Sequence, residues 1–273
     1  MHGNGKLDGL KTLLKKFGSV AVAFSGGVDS TFLLKVAHDV LGGDCIALTV
    51  RSRIFPAREL SEAAAFCRNE GVRQIMVDVD GLSIEGFADN PPNRCYLCKR
   101  ALFGRMLRSA AAEGVAAVCE GSNADDMGDY RPGLQAVAEL GIESPLRDCG
   151  FTKSEIRTLS ADLGLPTFDK PSFACLASRF PYGQKITSGK LGMVESAEDL
   201  LRNAGFRQVR VRIHEDIARI EVEPDSFPVA LEMRERIVSG LKEMGFAYVS
   251  LDLQGYRTGS LNERLGRDPL MPH

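Results

Sequence analysis

The sequence predicts an α/β fold. It should hold a doubly wound, mostly parallel sheet over residues 1–170, a site-lining connection over 171–187 and a small α+β domain over 188–273. Three observations predict it. Apolar, β-branched runs alternate with segments of helical spacing between Val20 and Asp78, a β-α-β-α-β order that gives parallel pairing. The first run passes through Ser25-Gly26-Gly27-Val28-Asp29-Ser30 directly into a helix pattern. After Ser188 the order changes to helix, hairpin, helix and strand.

The chain has 273 residues, enough for two cores, and its 44% hydrophobic and 26% charged content is that of a globular protein. A formal charge of -2 argues against a nucleic-acid surface as its main business. No apolar run reaches membrane-spanning length, and Met1 to Leu10 lacks the apolar core of a signal peptide, so a cytoplasmic location is expected. Seven cysteines without an export signal argue for reduced thiols or metal ligation over a disulfide framework.

Leu10, Leu13, Leu14 and Phe17 among lysines read as an amphipathic helix before the first strand, Val20 to Phe24. In the loop that follows, two glycines let N–H groups turn toward a ligand and two serines offer hydroxyls. The helix beginning near Thr31 adds partial positive charge. These features suit pyrophosphate, with Asp29 holding Mg2+ or capping the helix; an ordinary strand-to-helix turn is the plainer alternative. The stretch matches neither G-x-x-x-x-G-K-[ST] nor G-x-G-x-x-G.

Cys45 to Val50 reads as a second strand, with Arg51, Ser52 and Arg53 at its carboxyl end, where ligands of such sheets sit; solvated arginines are the alternative. A helix over Arg58 to Glu70 and a strand over Gln74 to Asp78 follow. The breaker Asn90-Pro91-Pro92-Asn93 precedes a helix to Ala112 that places Cys95 and Cys98 near its start, where the dipole favours thiolates. A fourth strand, Ala116 to Glu120, leads into Gly121-Ser122-Asn123-Ala124-Asp125-Asp126, whose carboxylates suit a magnesium ligand or a helix cap. Thr152-Lys153-Ser154-Glu155 is a capping box opening a helix to Asp162. Lys170 to Gly183 has no clear periodicity yet mixes Phe, Cys, Leu and Tyr, which argues for an ordered, site-lining segment.

In the last domain, helices are expected over Leu191 to Ala204 and Ser226 to Met244. A hairpin spans Gln208 to Ile213 and Ile217 to Glu223, and a strand spans Ala247 to Leu253. Arg210 and Arg212 share one hairpin face with Glu221 and Glu223. Pairing on a solvated face is the default reading, and binding of a substrate phosphate the alternative.

The loop SGGVDS resembles that of the N-type ATP pyrophosphatases, which cleave ATP to AMP and pyrophosphate and commonly carry a Gly-x-Asn-x-Asp-Asp turn like the one after the fourth strand. Together with NRCYLCK, GSNADDMGDYRPG, PSFACLASRFPYG and VRVRIHEDIARIEVE, it resembles the LarE family of ATP-dependent sulfur transferases over essentially the whole chain. The resemblance implies a PP-loop fold and a substrate, pyridinium-3,5-biscarboxylic acid mononucleotide, whose carboxylates become thiocarboxylates on the way to the nickel-pincer nucleotide of lactate racemase. It implies that the loop Ser25 to Ser30, with Gly121, Asn123 and Asp126, binds ATP, and by their place at the strand end Arg51 and Ser52 are candidates to edge that site. It also implies that Asp29, Asp126 and Glu198 hold a divalent cation, Mg2+, that Ser178, Arg179, Arg210 and Arg212 serve the substrate, and that Cys175 handles sulfur. A homo-oligomer and hand-off to other proteins making the same cofactor are further implications.

A carboxylate is a poor electrophile, so an acyl-adenylate is expected as the activated intermediate. The family offers two sulfur sources: Cys175 consumed and left as dehydroalanine, or a [4Fe-4S] cluster on three cysteines. The pair Cys95 and Cys98 alongside Cys175 favours the cluster, because three thiolates leave one iron open. Zinc would want a fourth ligand, and a thioredoxin-like pair lacks its fold context. Cys45, Cys67, Cys119 and Cys149 read as structural. Two other functions stay open: a tRNA thiolase of the same superfamily, and a non-catalytic ATP- or AMP-binding regulator.

Overall fold

The structure is a computed structural model that describes residues 2–128, 132–172, 174–257 and 259–261. Asp129, Tyr130 and Arg131 of the GSNADDMGDYRPG motif, Phe173 of the cysteine-bearing segment, and residues 262–273 of the last domain lie outside the described residues. The chain forms two units: one of Met1–Ile84 and Cys95–Phe173, the other of Glu85–Arg94 and Ala174–His273. Of the expected connection over 171–187, the part from Ala174 onward groups with the second unit, together with Glu85–Arg94.

In chain order the first unit contains α1 (His2–Phe17), β1 (Val20–Ala23), α2 (Val28–Leu41), β2 (Cys45–Arg51), α3 (Ala57–Glu70), β3 (Arg73–Asp78), α4 (Arg94–Ala112, its first residue grouping with the second unit), β4 (Ala117–Cys119), α5 (Pro132–Glu139), α6 (Pro145–Asp148) and α7 (Lys153–Asp162). Its four strands run parallel in the order β3-β2-β1-β4. The chain winds outward from β1 to β3 and returns to the other side of β1 with β4. The switch point therefore lies between the carboxyl ends of β1 and β4, where such sheets bind ligands. Parallel strands are covered on both faces, and β1 reads accordingly as an unbroken apolar run. Val20, Val22 and Cys45 are buried with Leu10 and Leu14 of α1, Phe32 and Leu33 of α2, and Phe151 and Ile156. Phe32 and Phe151 meet edge to face with centroids 5.7 Å apart.

The second unit contains α8 (Ser188–Asn203), β5 (Val209–His214), β6 (Ile217–Val222), α9 (Phe227–Glu232), α10 (Arg234–Glu243) and β7 (Tyr248–Leu251). β5 and β6 form the expected antiparallel hairpin, turned by Glu215 at a φ of 56°, and β7 adds parallel to β6. Val209, Val211 and Ile213 face a core shared with Val194, Ala197 and Leu201 of α8, which packs on β5.

The expected single helix from Ser226 to Met244 is two helices, separated at Met233 with φ -88° and ψ 7°. Hydrophobic spacing reads through one non-helical residue, so the sequence shows no break there. No helix among the described residues is long and apolar enough to cross a membrane.

Candidate active site

In the first unit, the loop leaves β1 as Phe24 donates its N–H to Leu48 O (2.8 Å). Gly26 then turns at a φ of +73°, a region that costs an L side chain energy. Gly27 is the N-cap of α2 and brings no side chain to cap it, so the first-turn N–H groups remain open toward the loop. Ser30 Oγ donates to Gly27 O (3.1 Å) and lies 3.1 Å from Ser25 Oγ, so the two hydroxyls brace the loop from inside. Gly121, after β4, comes so close that a Cβ there would sit 3.0 Å from Ser30 N and 3.3 Å from the Asp29 backbone. The turn after β4 is thus seated against the loop, as expected of two motifs sharing the switch point.

Asp29 connects the parts. Its Oδ1 accepts from Asn123 Nδ2 (3.3 Å), and its Oδ2 accepts from Lys153 Nζ (2.5 Å). Asn123 is fixed in turn: its N–H donates to Asp126 Oδ2 (3.0 Å), and its Oδ1 accepts from Asp125 N (3.0 Å). Asp125 Oδ2 takes the backbone N–H of Lys153 (2.8 Å). Just upstream, the buried Glu120 carboxylate accepts from Ser122 N, Ser122 Oγ and Ser144 Oγ, which holds the start of the turn. On the other side, Lys170 Nζ donates to Gly26 O (3.0 Å) and bridges Glu59 and Glu62 of α3 at 2.7 Å each.

Lys153 and Lys170 were not legible as site residues. Lys153 carries a usable signal: a lysine in the first turn of α7 opposes the helix dipole, so its charge is better satisfied elsewhere. Arg51 and Ser52 make no hydrogen bond to the loop among the described residues. Arg51 gives Nε and Nη2 to its cross-strand neighbour Asp78 (2.5 and 2.7 Å), and Ser52 Oγ accepts from Gly81 N (3.2 Å). Cys95 and Cys98 lie in the first turn of α4, three residues apart and hence on one helix face, Cys98 buried and Cys95 half-buried.

In the second unit, Cys175 is half-buried and caps the short 3-10 turn Leu176–Arg179. Its carbonyl accepts from Ser178 Oγ (2.8 Å) and from Arg179 Nη1 (3.0 Å), which also reaches Ala174 O (2.7 Å). The rest of the Arg179 guanidinium forms a two-pronged pair with Glu198, Nε to Oε1 (2.8 Å) and Nη2 to Oε2 (2.9 Å), both side chains fully buried. Glu198 also accepts from Arg202 Nη2 (2.5 Å) and Val211 N (3.1 Å). Burial alone would push this carboxyl up; the Arg179 charge and hydrogen bonds, with Arg210 and Arg202 behind them, reverse that and hold it at about 2. In this arrangement Glu198 is a counter-ion to arginines, a different role from the cation ligand that the family resemblance suggests.

The reading of the hairpin's charged face as solvated is corrected. Arg210, Arg212 and Glu221 are all buried. Arg212 pairs Nε and Nη2 with the two oxygens of Glu221 (3.0 Å each), and its Nη1 donates to Ser178 O (2.6 Å). Arg210 donates to Val209 O (2.8 Å) and stacks on Tyr256 at 5.2 Å. Burial, then the neighbouring Arg179 charge, lowers the Arg210 guanidinium to about 10. The alternation of the strand was read correctly; the cover over its polar face comes from Ser178 and Ser260, far away in sequence.

Among the described residues, no group of three or more His, Cys, Asp or Glu side chains is gathered to hold a metal ion. Cys95 and Cys98 belong to the first unit and Cys175 to the second.

No family model matches the chain. A curated pyridinium-3,5-bisthiocarboxylic acid mononucleotide synthase of Lactiplantibacillus plantarum is 39% identical, covering 96% of this chain and 95% of its own length. An uncharacterized protein of Synechocystis sp. is 42% identical over 95% of this chain and 98% of its own. A glutamine-hydrolyzing GMP synthase of Pyrobaculum aerophilum is 28% identical over 71% of this chain and 43% of its own.

Proposed function

This chain belongs to the LarE family, the synthases of pyridinium-3,5-bisthiocarboxylic acid mononucleotide, and on that premise we propose that it transfers sulfur to pyridinium-3,5-biscarboxylic acid mononucleotide at the expense of ATP. The observation that carries the ATP half is the seating of Gly121 against Ser30 at the switch point, which leaves a side-chain-free cradle over the first turn of α2. There the N–H groups and dipole of α2 face the pyrophosphate portion of ATP. Lys153 holds an ammonium group beside the loop, where it stabilises the negative charge that grows on the leaving pyrophosphate, and Lys170 braces the loop at Gly26 against Glu59 and Glu62.

A substrate carboxylate oxygen attacks the α-phosphorus and pyrophosphate departs, leaving an acyl-adenylate. A sulfur nucleophile then adds to the acyl carbon, the C–S bond forms, and AMP leaves with the bonding electron pair. Asp29 and Asp126 offer the hard oxygen donors that suit Mg2+ and would hold it, with Asn123 hydrogen-bonded to both carboxylates. When bound, Mg2+ neutralises phosphate charge. Arg210 and Arg212 form the cationic floor for the substrate phosphate, with Ser178 and Arg179 holding the Cys175 turn over it.

Cys95, Cys98 and Cys175 each bring a thiol, the soft donor type that suits iron, and that chemistry supports a [4Fe-4S] cluster as the sulfur carrier. When bound, the cluster supplies an iron that protein thiolates do not occupy, where an extra sulfide can be carried. The chain's own contribution is to set the thiols: Cys95 and Cys98 through the first turn of α4, and Cys175 through the carbonyl bonds of Arg179.

The test is pyrophosphate release from ATP by the purified protein with and without the biscarboxylate mononucleotide. Release that needs the mononucleotide and proceeds without RNA is expected. Release that needs RNA would favour a tRNA thiolase, and none under any condition would favour a nucleotide-binding regulator.

A further inference from the structure

Arg94 is 2% exposed, and its charge faces no carboxylate among the described residues. Its Nη1 donates to Asn90 Oδ1 and to Ala177 O (2.9 Å), and the guanidinium lies over the Tyr182 ring at 5.5 Å. Stacking covers a flat face of the group and leaves its in-plane N–H edge usable. Nε and Nη2, the pair along that edge, make no hydrogen bond among the described residues. In Arg51, Arg179 and Arg212 that same pair is given to the two oxygens of one carboxylate. A guanidinium that spends only Nη1 within the protein keeps a two-donor in-plane edge, whose natural complement is a planar oxyanion that arrives with a ligand.

The setting is built. Asn90 is fully buried at a φ of 57°, donates Nδ2 to Pro181 O (2.6 Å) and Phe180 O (3.3 Å), and its carbonyl accepts from Gly183 N (2.9 Å). Arg94 therefore holds the turn Leu176–Arg179 from within at Ala177, and Asn90 holds the chain just past it at Phe180 and Pro181; Cys175 is the residue that caps this turn.

The geometry points to Arg94 as a substrate-binding residue whose Nε and Nη2 take the second ring carboxylate of the mononucleotide, the one that is not reacting. This rests on the sulfur-transfer reading and deepens it. Arg210 and Arg212 are left for the phosphate, so the two anionic ends of one substrate have separate partners in the second unit.

The test compares dissociation constants, by calorimetry without ATP, for the biscarboxylate mononucleotide and for nicotinic acid mononucleotide, which keeps the ribose phosphate but has a single ring carboxylate. Wild-type protein should prefer the biscarboxylate. Arg94→Gln should weaken the biscarboxylate by about tenfold to a hundredfold and leave nicotinic acid mononucleotide within about twofold, erasing the preference. Arg94→Lys, which keeps the charge but not the fork, should weaken the biscarboxylate by about threefold to tenfold with the same selectivity, and serves if Arg94→Gln fails to fold in a thermal melt. Equal weakening of both ligands in a folded variant assigns Arg94 to the phosphate or to turn structure alone and overturns the inference. Wild-type discrimination that survives both variants also overturns it, while leaving the sulfur-transfer reading intact. A wild-type protein that binds neither mononucleotide sinks both.

Discussion

Lys153 Nζ lies 2.5 Å from Asp29 Oδ2, joining the first turn of α7 to the first turn of α2 across 124 residues of sequence. Both side chains are partly exposed, so the pair contributes little to stability in a high-dielectric setting. Its consequence is positional: an ammonium group is held at the phosphate loop, where charge develops as pyrophosphate leaves. Lys153→Met should leave the thermal midpoint within a few degrees and lower the rate of pyrophosphate release by about a hundredfold, the scale of removing one preorganised charge donor. An unchanged rate would remove Lys153 from the chemistry.

Gly121→Ala adds a methyl 3.0 Å from Ser30 N and 3.3 Å from the backbone carbon of Asp29. The turn after β4 must then lift from the loop, at a cost of about 1–3 kcal/mol in urea unfolding. ATP affinity should fall with it. Unaltered stability together with unaltered ATP binding would contradict the seating of the two turns.

The pH dependence of stability follows from Glu198. Its folded carboxyl is depressed from 4.5 to about 2, so it contributes stability that is present above 4.5 and lost as pH falls toward 2. A shift of this size corresponds to about 3 kcal/mol at neutral pH, as an order of magnitude. Urea midpoints should fall steeply between pH 4.5 and 3 in the wild type, and less steeply in Glu198→Gln. Glu198→Gln itself should be destabilised by about 3–5 kcal/mol at pH 7, because it leaves Arg179 buried without its counter-charge. Parallel pH profiles for the two proteins would refute this assignment.

The loop Ser25 to Ser30 and the turn from Gly121 were legible because their chemistry is local: positive φ, missing side chains and helix N-termini are written in adjacent residues. The parallel sheet was legible from apolar runs of strand length. Lys153 and Lys170 were not, since each acts on a partner more than a hundred residues away in sequence. Arg210 and Arg212 were placed on the right face and given the wrong environment, because alternation reports which residues share a face but not what covers it. The break at Met233 escaped for a related reason, as the apolar stripe of α9 and α10 continues past it.

The cysteines separate by environment. Burial pushes the Cys45 and Cys67 thiols up to about 12 and raises Cys119 as well, whereas Cys95 and Cys175 are half-buried. Brief treatment of the native metal-free protein with iodoacetamide at pH 8 should label Cys175 and Cys95 first, read by peptide mass. Labelling of Cys45, Cys67 and Cys119 at equal rates would contradict their burial.

The most direct test of sulfur transfer is the mass of the nucleotide product after anaerobic incubation with ATP, Mg2+, sulfide and the biscarboxylate mononucleotide. Replacement of carboxylate oxygen by sulfur is expected, with one AMP and one pyrophosphate formed per C–S bond and no change in the mass of Cys175. AMP and pyrophosphate formed without sulfur in the product would contradict sulfur transfer, and loss of H2S from Cys175 after a single turnover would contradict the cluster as its carrier.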